Sequence, residues 1–277
     1  MRNFMSRLRA ALPITVVMLL VVAAVAAAHD LFLKPERYHA DENADVLVRV
    51  LNGTFSKSEN AIARDRLIDV SVVSPAGRTH LDTTEWSASG DTSVFHFRTG
   101  SSGTYVLGVS TRARTFELSA KDFNTYLETD GVPDVLAARR RSGESTRPAR
   151  ERYSKHVKAV VQVGSSLSVA YATPLGYPAE IILLANPYAV RAGGVLRIRA
   201  LVEGSPVANQ FVLYGGRTST GARLAQRSTR TDSGGVARIP IRTRGVWYVK
   251  FINMSRQPDG GDADYESKWA TLTFEVR

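Results

Sequence analysis

The stretch VLRIRALV at residues 195–202 places apolar side chains at every second position from Leu196, with arginine at two of the positions between. A two-residue period is typical of a β-strand that turns one face to a core. Residues 45–51 (DVLVRVL) and 67–73 (LIDVSVV) carry the same signal. Turn sequences rich in Gly, Pro and Asn recur about every ten residues. The sequence therefore predicts an all-β protein built from β-sandwiches.

Changes in composition along the chain predict two β-sandwich domains and a connector between them. The segments around Pro206 and Asp232 resemble immunoglobulin-like modules of exported proteins, and this resemblance implies immunoglobulin-like β-sandwich domains. The first sandwich is expected at residues 29–118 and the second at 180–277. Residues 119–179 between them are expected to form a basic, helical connector that ends in a return strand.

Within this connector, residues 135–141 (VLAARRR) follow Pro133 and favour a helix. Residues 149–158 can form a second helix, and residues 160–163 (VVQV) return to a strand.

Residues 1–28 have the features of a signal peptide. Arg2, Arg7 and Arg9 precede the apolar run at residues 14–28, which ends in three alanines. Cleavage after Ala28 would place His29 at the N-terminus of a periplasmic protein, and the alternative is an uncleaved N-terminal anchor. Loss of the three arginines lowers the formal charge from +10 to +7.

The remaining positive charge does not predict a nucleic-acid partner. Many of the basic residues lie at residues 139–158, a segment with few aromatic side chains and no nucleic-acid motif. A solvated basic face, or contact with anionic lipid headgroups at a membrane surface, accounts for them better.

Motifs of the common enzyme classes are missing from the sequence. It has no G-x-S-x-G nucleophile elbow, no H-E-x-x-H zinc motif and no phosphate-binding loop. It also has no cysteine, which excludes disulfides, thiolate metal sites and a cysteine nucleophile. A binding protein without catalytic activity is therefore expected.

His29 is the residue that signal cleavage would single out. An N-terminal histidine offers its α-amine and its ring Nδ1 in one chelate, and an α-amine has a pKa near 8. Imidazole suits nickel, cobalt and copper. The other four histidines, at positions 39, 80, 96 and 156, are expected to be structural or solvated.

A second group of candidate ligands lies near the C-terminus. Asp262, Asp264 and Glu266 alternate, so an extended chain would present their carboxylates together. Carboxylate oxygens at this spacing can hold Ca²⁺, but the full calcium-loop pattern is missing, and a polar hairpin loop is the alternative.

Five segments resemble the DUF4198 family of exported proteins. They are HDLFLKP at 29–35, NPY at 186–188, PVAN at 206–209, TDSGG at 231–235 and WATLTF at 269–274. That resemblance implies a periplasmic component of nickel or cobalt uptake. It also implies that His29 and Met254 match family positions, whereas Asn253 stands where family members often carry a histidine.

Together with the N-terminal histidine, this resemblance implies capture of Ni²⁺ or Co²⁺, with Cu²⁺ as a further candidate metal, in partnership with a membrane transporter complex. His29 would supply two nitrogens, Asp264 or Glu266 oxygen, and Asn253 and Met254 would line the site. Two alternatives stay open. One is a metal-independent module that binds carbohydrate or protein, and the other is a copper-dependent oxidative enzyme with an N-terminal histidine.

Overall fold

The computed structural model describes residues 29–258 and 261–277, so the predicted signal peptide at residues 1–28 lies outside the described residues. Strands make up most of the described chain, which confirms the prediction of a mainly β protein. The strands before the helices are β1 (Asp30–Pro35), β2 (His39–Ala40), β3 (Asp45–Gly53), β4 (Leu67–Ser74), β5 (Gly77–His80), β6 (Ser87–Ser89), β7 (Thr92–Arg98), β8 (Gly103–Thr111) and β9 (Arg114–Leu118).

Two α-helices come next, and nine further strands follow them. The helices are α1 (Ala120–Thr129) and α2 (Pro133–Arg141). The later strands are β10 (Ala149–Val163), β11 (Ala179–Leu183), β12 (Val195–Val202), β13 (Ser205–Pro206), β14 (Phe211–Thr218), β15 (Arg223–Arg230), β16 (Val236–Pro240), β17 (Gly245–Arg256) and β18 (Tyr265–Val276). Short 3₁₀ helices lie at Arg64–Arg66, Thr83–Glu85, Glu144–Thr146, Val169–Ala172 and Pro187–Ala189.

A ten-stranded central sheet joins both halves of the chain. Its order is β15-β14-β17-β18-β10-β8-β4-β5, with β2 and β9 also paired to β10. The strands β10 and β18 run parallel and pair from Glu151 opposite Tyr265 to Ala159 opposite Thr273. The predicted N-terminal and C-terminal segments therefore contribute strands to one hydrogen-bonded sheet.

Two smaller sheets cover opposite faces of the central sheet. One has the order β1-β3-β7-β6, and the other contains β11, β12, β13 and β16. Successive side chains of β10 point to opposite faces of the central sheet, so this strand contributes to both cores. Val157 and Val161 pack with Val48 of the first small sheet, whereas Val160 packs with Ile198 of the second.

The predicted helix at residues 149–158 is wrong, because this segment is the first part of β10. Its side chains alternate between a buried face that includes Ala149, Glu151 and Tyr153 and an exposed face that carries Arg150 and Arg152. The segment pairs with β9 on one side and β18 on the other, and hydrogen bonds to two neighbours outweigh its local helix preference. The predicted helix after Pro133 is confirmed as α2.

The helices pack on the central sheet beside the first small sheet. Phe123 and Tyr126 of α1 lie in one apolar cluster with Trp269 of β18, and the Tyr126 and Trp269 rings stack with their centroids 5.7 Å apart. Ser119 caps α1 by accepting a hydrogen bond from the backbone N–H of Asp122 at 3.2 Å. In the described part of the chain, no helix combines the length and hydropathy of a membrane span.

Candidate functional site

Four of the five residues predicted as metal ligands already have other contacts in the fold. Asn253 donates a hydrogen bond to Gln210 Oε1 at 3.0 Å, and Met254 packs on the apolar cluster around Trp269. The carboxylate of Asp264 accepts a hydrogen bond from the backbone N–H of Arg150 at 2.7 Å. Glu266 contacts Arg152 Nη1 at 2.5 Å.

The structure does not bring these four residues to His29. The backbone oxygen of His29 accepts a hydrogen bond from Lys155, whose ammonium lies 5.2 Å from the centre of the Trp269 ring. Side chains alternate across a strand, so Glu266 points to the face of β18 opposite Trp269. Among residues 29–258 and 261–277, no group of three or more His, Asp or Glu side chains is placed to hold a metal ion.

Asn253, Met254 and Asp264 are separated from the His29 region by the same strand geometry. Asn253 lies on the face of β17 opposite Lys250, which contacts Asp30. Met254 shares the face of Lys250 but lies four residues further along, about 13 Å away. Asp264 lies beside Arg150, five residues before Lys155 on β10 and therefore about 16 Å along the strand.

His29 instead opens onto a cavity of about 530 Å³, which we call the N-terminal cavity. It lies where the start of β1, the end of α1 and the strands β14, β15 and β17 meet. Its lining residues are His29, Asp30, Phe32, Gly53, Thr54, Phe55, Ser56, Thr129, Asp130, Gly216, Arg217, Arg223, Leu224, Gln226, Tyr248 and Lys250.

The imidazole of His29 is held by one ring nitrogen and leaves the other without a partner. Nε2 lies 3.2 Å from Glu59 Oε2. Nδ1 is buried and has no hydrogen-bond partner within the described residues. Metal-binding histidines commonly donate their second ring N–H to a carboxylate, which fixes the tautomer and the ring orientation. Glu59 is placed for that role, and Nδ1 is the atom expected to chelate together with the α-amine.

A buried ion triad lies next to His29. Lys250 Nζ contacts Asp30 Oδ2 at 2.5 Å and Asp130 Oδ1 at 3.1 Å, so it links β17 to the start of β1 and the end of α1. Burial alone would lower the pKa of the Lys250 ammonium, but the two carboxylates hold this pKa above its ordinary value. Asp30 Oδ1 is buried and unpaired in the described structure. It is therefore a second buried atom without a partner among the residues that line the cavity.

Aromatic rings form one wall of the cavity. The centroid of Tyr248 lies 5.3 Å from that of Phe32 and 4.9 Å from that of Phe55. Gly215, directly opposite Tyr248 across β14 and β17, makes room for this ring, since a Cβ there would come within 2.7 Å of the Tyr248 hydroxyl. The wall gives the cavity an apolar surface between its polar ends.

Two arginines stand at the other end of the cavity. Arg217 donates hydrogen bonds to Ser56 Oγ at 3.0 Å and 2.8 Å and to the Gly221 carbonyl at 2.6 Å. Arg223 lies directly opposite Arg217 across β14 and β15. Neither arginine forms an ion pair with a carboxylate in the described part of the chain, so this end carries uncompensated positive charge.

Strand β10, whose Lys155 contacts His29, buries a carboxyl group and an ammonium group. Glu151 accepts hydrogen bonds from the Tyr126 hydroxyl at 3.1 Å and from the Ser267 hydroxyl. Burial raises the pKa of Glu151 to about 7, against the lowering effect of these hydrogen bonds. Lys155 donates to Asn52 Oδ1 at 3.1 Å, and burial lowers its pKa to about 7. Both groups therefore change charge near neutral pH.

Replacing Glu151 with glutamine is expected to raise the free energy of unfolding near pH 8 and to change it little near pH 4. The pKa of Glu151 is higher in the folded protein than its ordinary value of 4.5, so the folded state holds the proton more tightly. This contribution to stability is fully present below pH 4.5 and is lost as the pH rises through about 7. The difference amounts to about 3 kcal/mol. Urea unfolding of both proteins across this pH range measures it, and a difference that does not vary with pH would contradict it.

A serine, a histidine and an aspartate also meet at β4 and β5. His80 Nδ1 lies 2.6 Å from Asp69 Oδ1 and 3.2 Å from Ser71 Oγ. A nucleophile relay needs the serine and the carboxylate on different ring nitrogens, whereas here both contact Nδ1. Ser71 is also buried and hydrogen-bonded to Asp69. This network joins β4 to β5 and to Tyr177, which donates a hydrogen bond to Asp69 at 2.5 Å.

Sequence patterns gave only weak signals for the other residues of the cavity. Lys250 is the one charged residue in the apolar run VWYVKFI at residues 246–252, a position where a buried ion is expected to have a partner. Asp130 stands at the end of α1, and Glu59, Arg217 and Arg223 lie in polar surroundings with no motif. Only the fold brings these side chains to His29 or to the cavity that it lines.

The family described as "Domain of unknown function (DUF4198)" matches residues 26–255. Comparison with curated proteins gives no match.

Among solved structures, the chain is similar to a DUF4785 family protein from Legionella pneumophila, at 9% identity and a TM-score of 0.25, over 78% of this chain and 51% of that one. A tetra-tandem repeat from the extending region of a large adhesion protein matches at 8% identity and a TM-score of 0.24, over 88% and 49%. The Escherichia coli adhesin FdeC matches at 16% identity and a TM-score of 0.22, over 90% and 63%. The chain thus spans about half to two thirds of the length of these structures.

Proposed function

Because the chain belongs to the DUF4198 family, whose description assigns no activity, we propose a function from the N-terminal cavity. The protein is a periplasmic binding protein that captures a transition-metal ion, Ni²⁺ or Co²⁺, for a membrane uptake complex without catalysis. Cleavage after Ala28 generates the α-amine of His29. A signal peptide and the immunoglobulin-like character of the two sandwiches belong to this proposal.

The observation that carries the proposal is the free Nδ1 of His29. It is buried and without a hydrogen-bond partner in the described residues, while Nε2 of the same ring is held by Glu59. An amine, an imidazole nitrogen and the unpaired Asp30 Oδ1 form a donor set that suits Ni²⁺ and Co²⁺. Asn253, Asp264 and Glu266 have other partners, so the proposed ligands are the donors of His29 and Asp30.

Calorimetry on the exported protein tests this proposal. The protein is produced with its own residues 1–28, its N-terminus is read by mass spectrometry, and NiCl₂, CoCl₂ and CuCl₂ are titrated separately. We expect one bound ion per chain when the N-terminus is His29. Processed protein that binds none of the three ions would overturn the proposal.

A metal-independent binding module is the second candidate, and the aromatic wall of the cavity favours it. Phe32, Phe55 and Tyr248 line the cavity with an apolar surface, and the Tyr248 hydroxyl adds one polar group, a combination that binding sites often use. Binding of an oligosaccharide or a protein partner in the presence of a metal chelator would support this candidate over metal capture.

The oxidative copper enzyme receives less support from the cavity. That chemistry uses a second imidazole close to the N-terminal histidine, and His29 is the one histidine in the described lining. His39, His80 and His96 instead contact the carboxylates of Glu275, Asp69 and Asp45. Metal capture therefore accounts for the site better than oxidation.

A further inference from the structure

The N-terminal cavity is larger than a bare metal ion requires. Its volume is about 530 Å³. A water molecule occupies about 30 Å³ in the liquid, so six coordinated waters fill roughly 180 Å³. Cavities of about 300–1,000 Å³ are typical of sites for small organic molecules. The space therefore fits an ion together with an organic ligand.

The two ends of the cavity have opposite chemical preferences. The His29 and Asp30 end offers free nitrogen and oxygen donors, which suit a cation. At the other end, Arg217 is anchored by Ser56 and by the Gly221 carbonyl, and Arg223 forms no ion pair within the described residues. Arginine guanidinium groups match carboxylates in a bidentate geometry. This end therefore suits an organic anion.

The sheet register gives the separation between these ends. Lys250, which contacts Asp30, and Val246, which lies opposite Arg217, share one face of β17 and are four residues apart. Four residues of a strand span about 13 Å. An ion bound at His29 therefore cannot contact both ends by itself, and a chelator on the ion would have to bridge this distance together with the arginine side chains.

The arginine pair is also unusual in energetic terms. Like charges directly opposite each other on neighbouring strands destabilise a sheet. Arg217 and Arg223 are such a pair, and Arg217 also helps to lower the pKa of Lys34, although burial has the larger effect. A bound carboxylate would relieve this repulsion, so the local charge is complementary to an anionic ligand.

We propose that the ligand is a transition-metal ion already chelated by a small polycarboxylate, and this rests on the proposed function. The metal binds His29 and Asp30, the free carboxylates bind Arg217 and Arg223, and the carbon skeleton contacts Phe55 and Tyr248. The protein thus recognises the metal and the chelator together.

Native mass spectrometry and calorimetry with NiCl₂, citrate and the one-to-one nickel–citrate complex test this inference on the processed protein. We expect a ternary species that contains protein, nickel and citrate. We also expect nickel–citrate to bind at least about 10-fold more tightly than Ni²⁺ alone, since each charged contact contributes on the order of a tenfold change in affinity.

Arginine variants separate this inference from the proposed function. Arg223→Gln is expected to weaken nickel–citrate binding by about 10-fold and to leave binding of NiCl₂ unchanged. Adding Arg217→Gln is expected to weaken it further. Arg227→Gln, on the same strand but outside the cavity lining, is the matched control and should behave as wild type.

The outcomes are distinguishable. Binding of Ni²⁺ without retention of citrate, or equal nickel–citrate affinity in Arg223→Gln, overturns the chelate inference and leaves metal capture standing. Citrate that binds equally well without nickel overturns it as well. Failure of both NiCl₂ and nickel–citrate to bind overturns the proposed function together with this inference.

Discussion

A single glycine placed before His29 is expected to weaken Ni²⁺ binding by at least about 100-fold. The extra residue converts the α-amine of His29 into an amide and moves the new amine about 3.8 Å along the chain. The amine nitrogen and Nδ1 are then no longer the two ends of one five-atom segment, so they can no longer close the same chelate ring on the metal. Every side chain of the cavity stays in place. Calorimetry with NiCl₂ on the native and extended proteins measures the change.

Two further variants define what this result means. His29→Ala removes Nδ1 and is expected to have an effect of the same size. His96→Ala removes an exposed imidazole that contacts Asp45 on β3, and it should bind Ni²⁺ as the native protein does. An extended protein with undiminished affinity would show that the terminal chelate is not the metal site.

Replacing Lys250 with methionine is expected to lower the free energy of unfolding by about 3–5 kcal/mol. Lys250 is 3% exposed and is the cation between Asp30 and Asp130. Methionine keeps most of the volume of the side chain, so the loss comes from two carboxylates that are left without their cation. Urea unfolding at neutral pH measures it.

A charge-neutral variant separates electrostatics from packing. Combining Lys250→Met with Asp30→Asn and Asp130→Asn removes the uncompensated charges and should recover much of the lost stability. Lys268→Met is the matched control. Its partner Glu203 is largely exposed, so the loss there should be at most about 1 kcal/mol. A small effect at Lys250, or no recovery in the triple variant, would contradict this role.

The two-residue period of the apolar residues predicted the strands that the structure has as β3, β4 and β12, and β10 shows where such prediction stops. The segment at 149–158 carries the buried charged residues Glu151, Lys155 and Lys158. The positions of its polar and apolar residues therefore do not show which side chains face the core. Glu151 and Lys155 find their hydrogen-bond partners on α1, β3 and β18 and at His29, up to 126 residues away. No local pattern contains those partners.

The candidate site was predicted in part for a similar reason. The predicted cleavage after Ala28 singled out His29, and the structure places this residue at the cavity. Asn253 was chosen by family position and Glu266 by spacing. Successive side chains of a strand point to opposite faces of the sheet, and both of these residues lie on the face away from His29. Arg217 and Arg223 became neighbours through the register of β14 and β15, which the sequence alone does not fix.

The pairing of β10 with β18 has a consequence for folding. These strands come from distant parts of the chain, yet they lie side by side in the middle of the sheet. Contacts of such long sequence separation slow folding, because the intervening loop must close before any of them forms. Neither half of the chain can complete its core until the strands of the other half have paired with it. We therefore expect slow refolding and one cooperative unfolding transition.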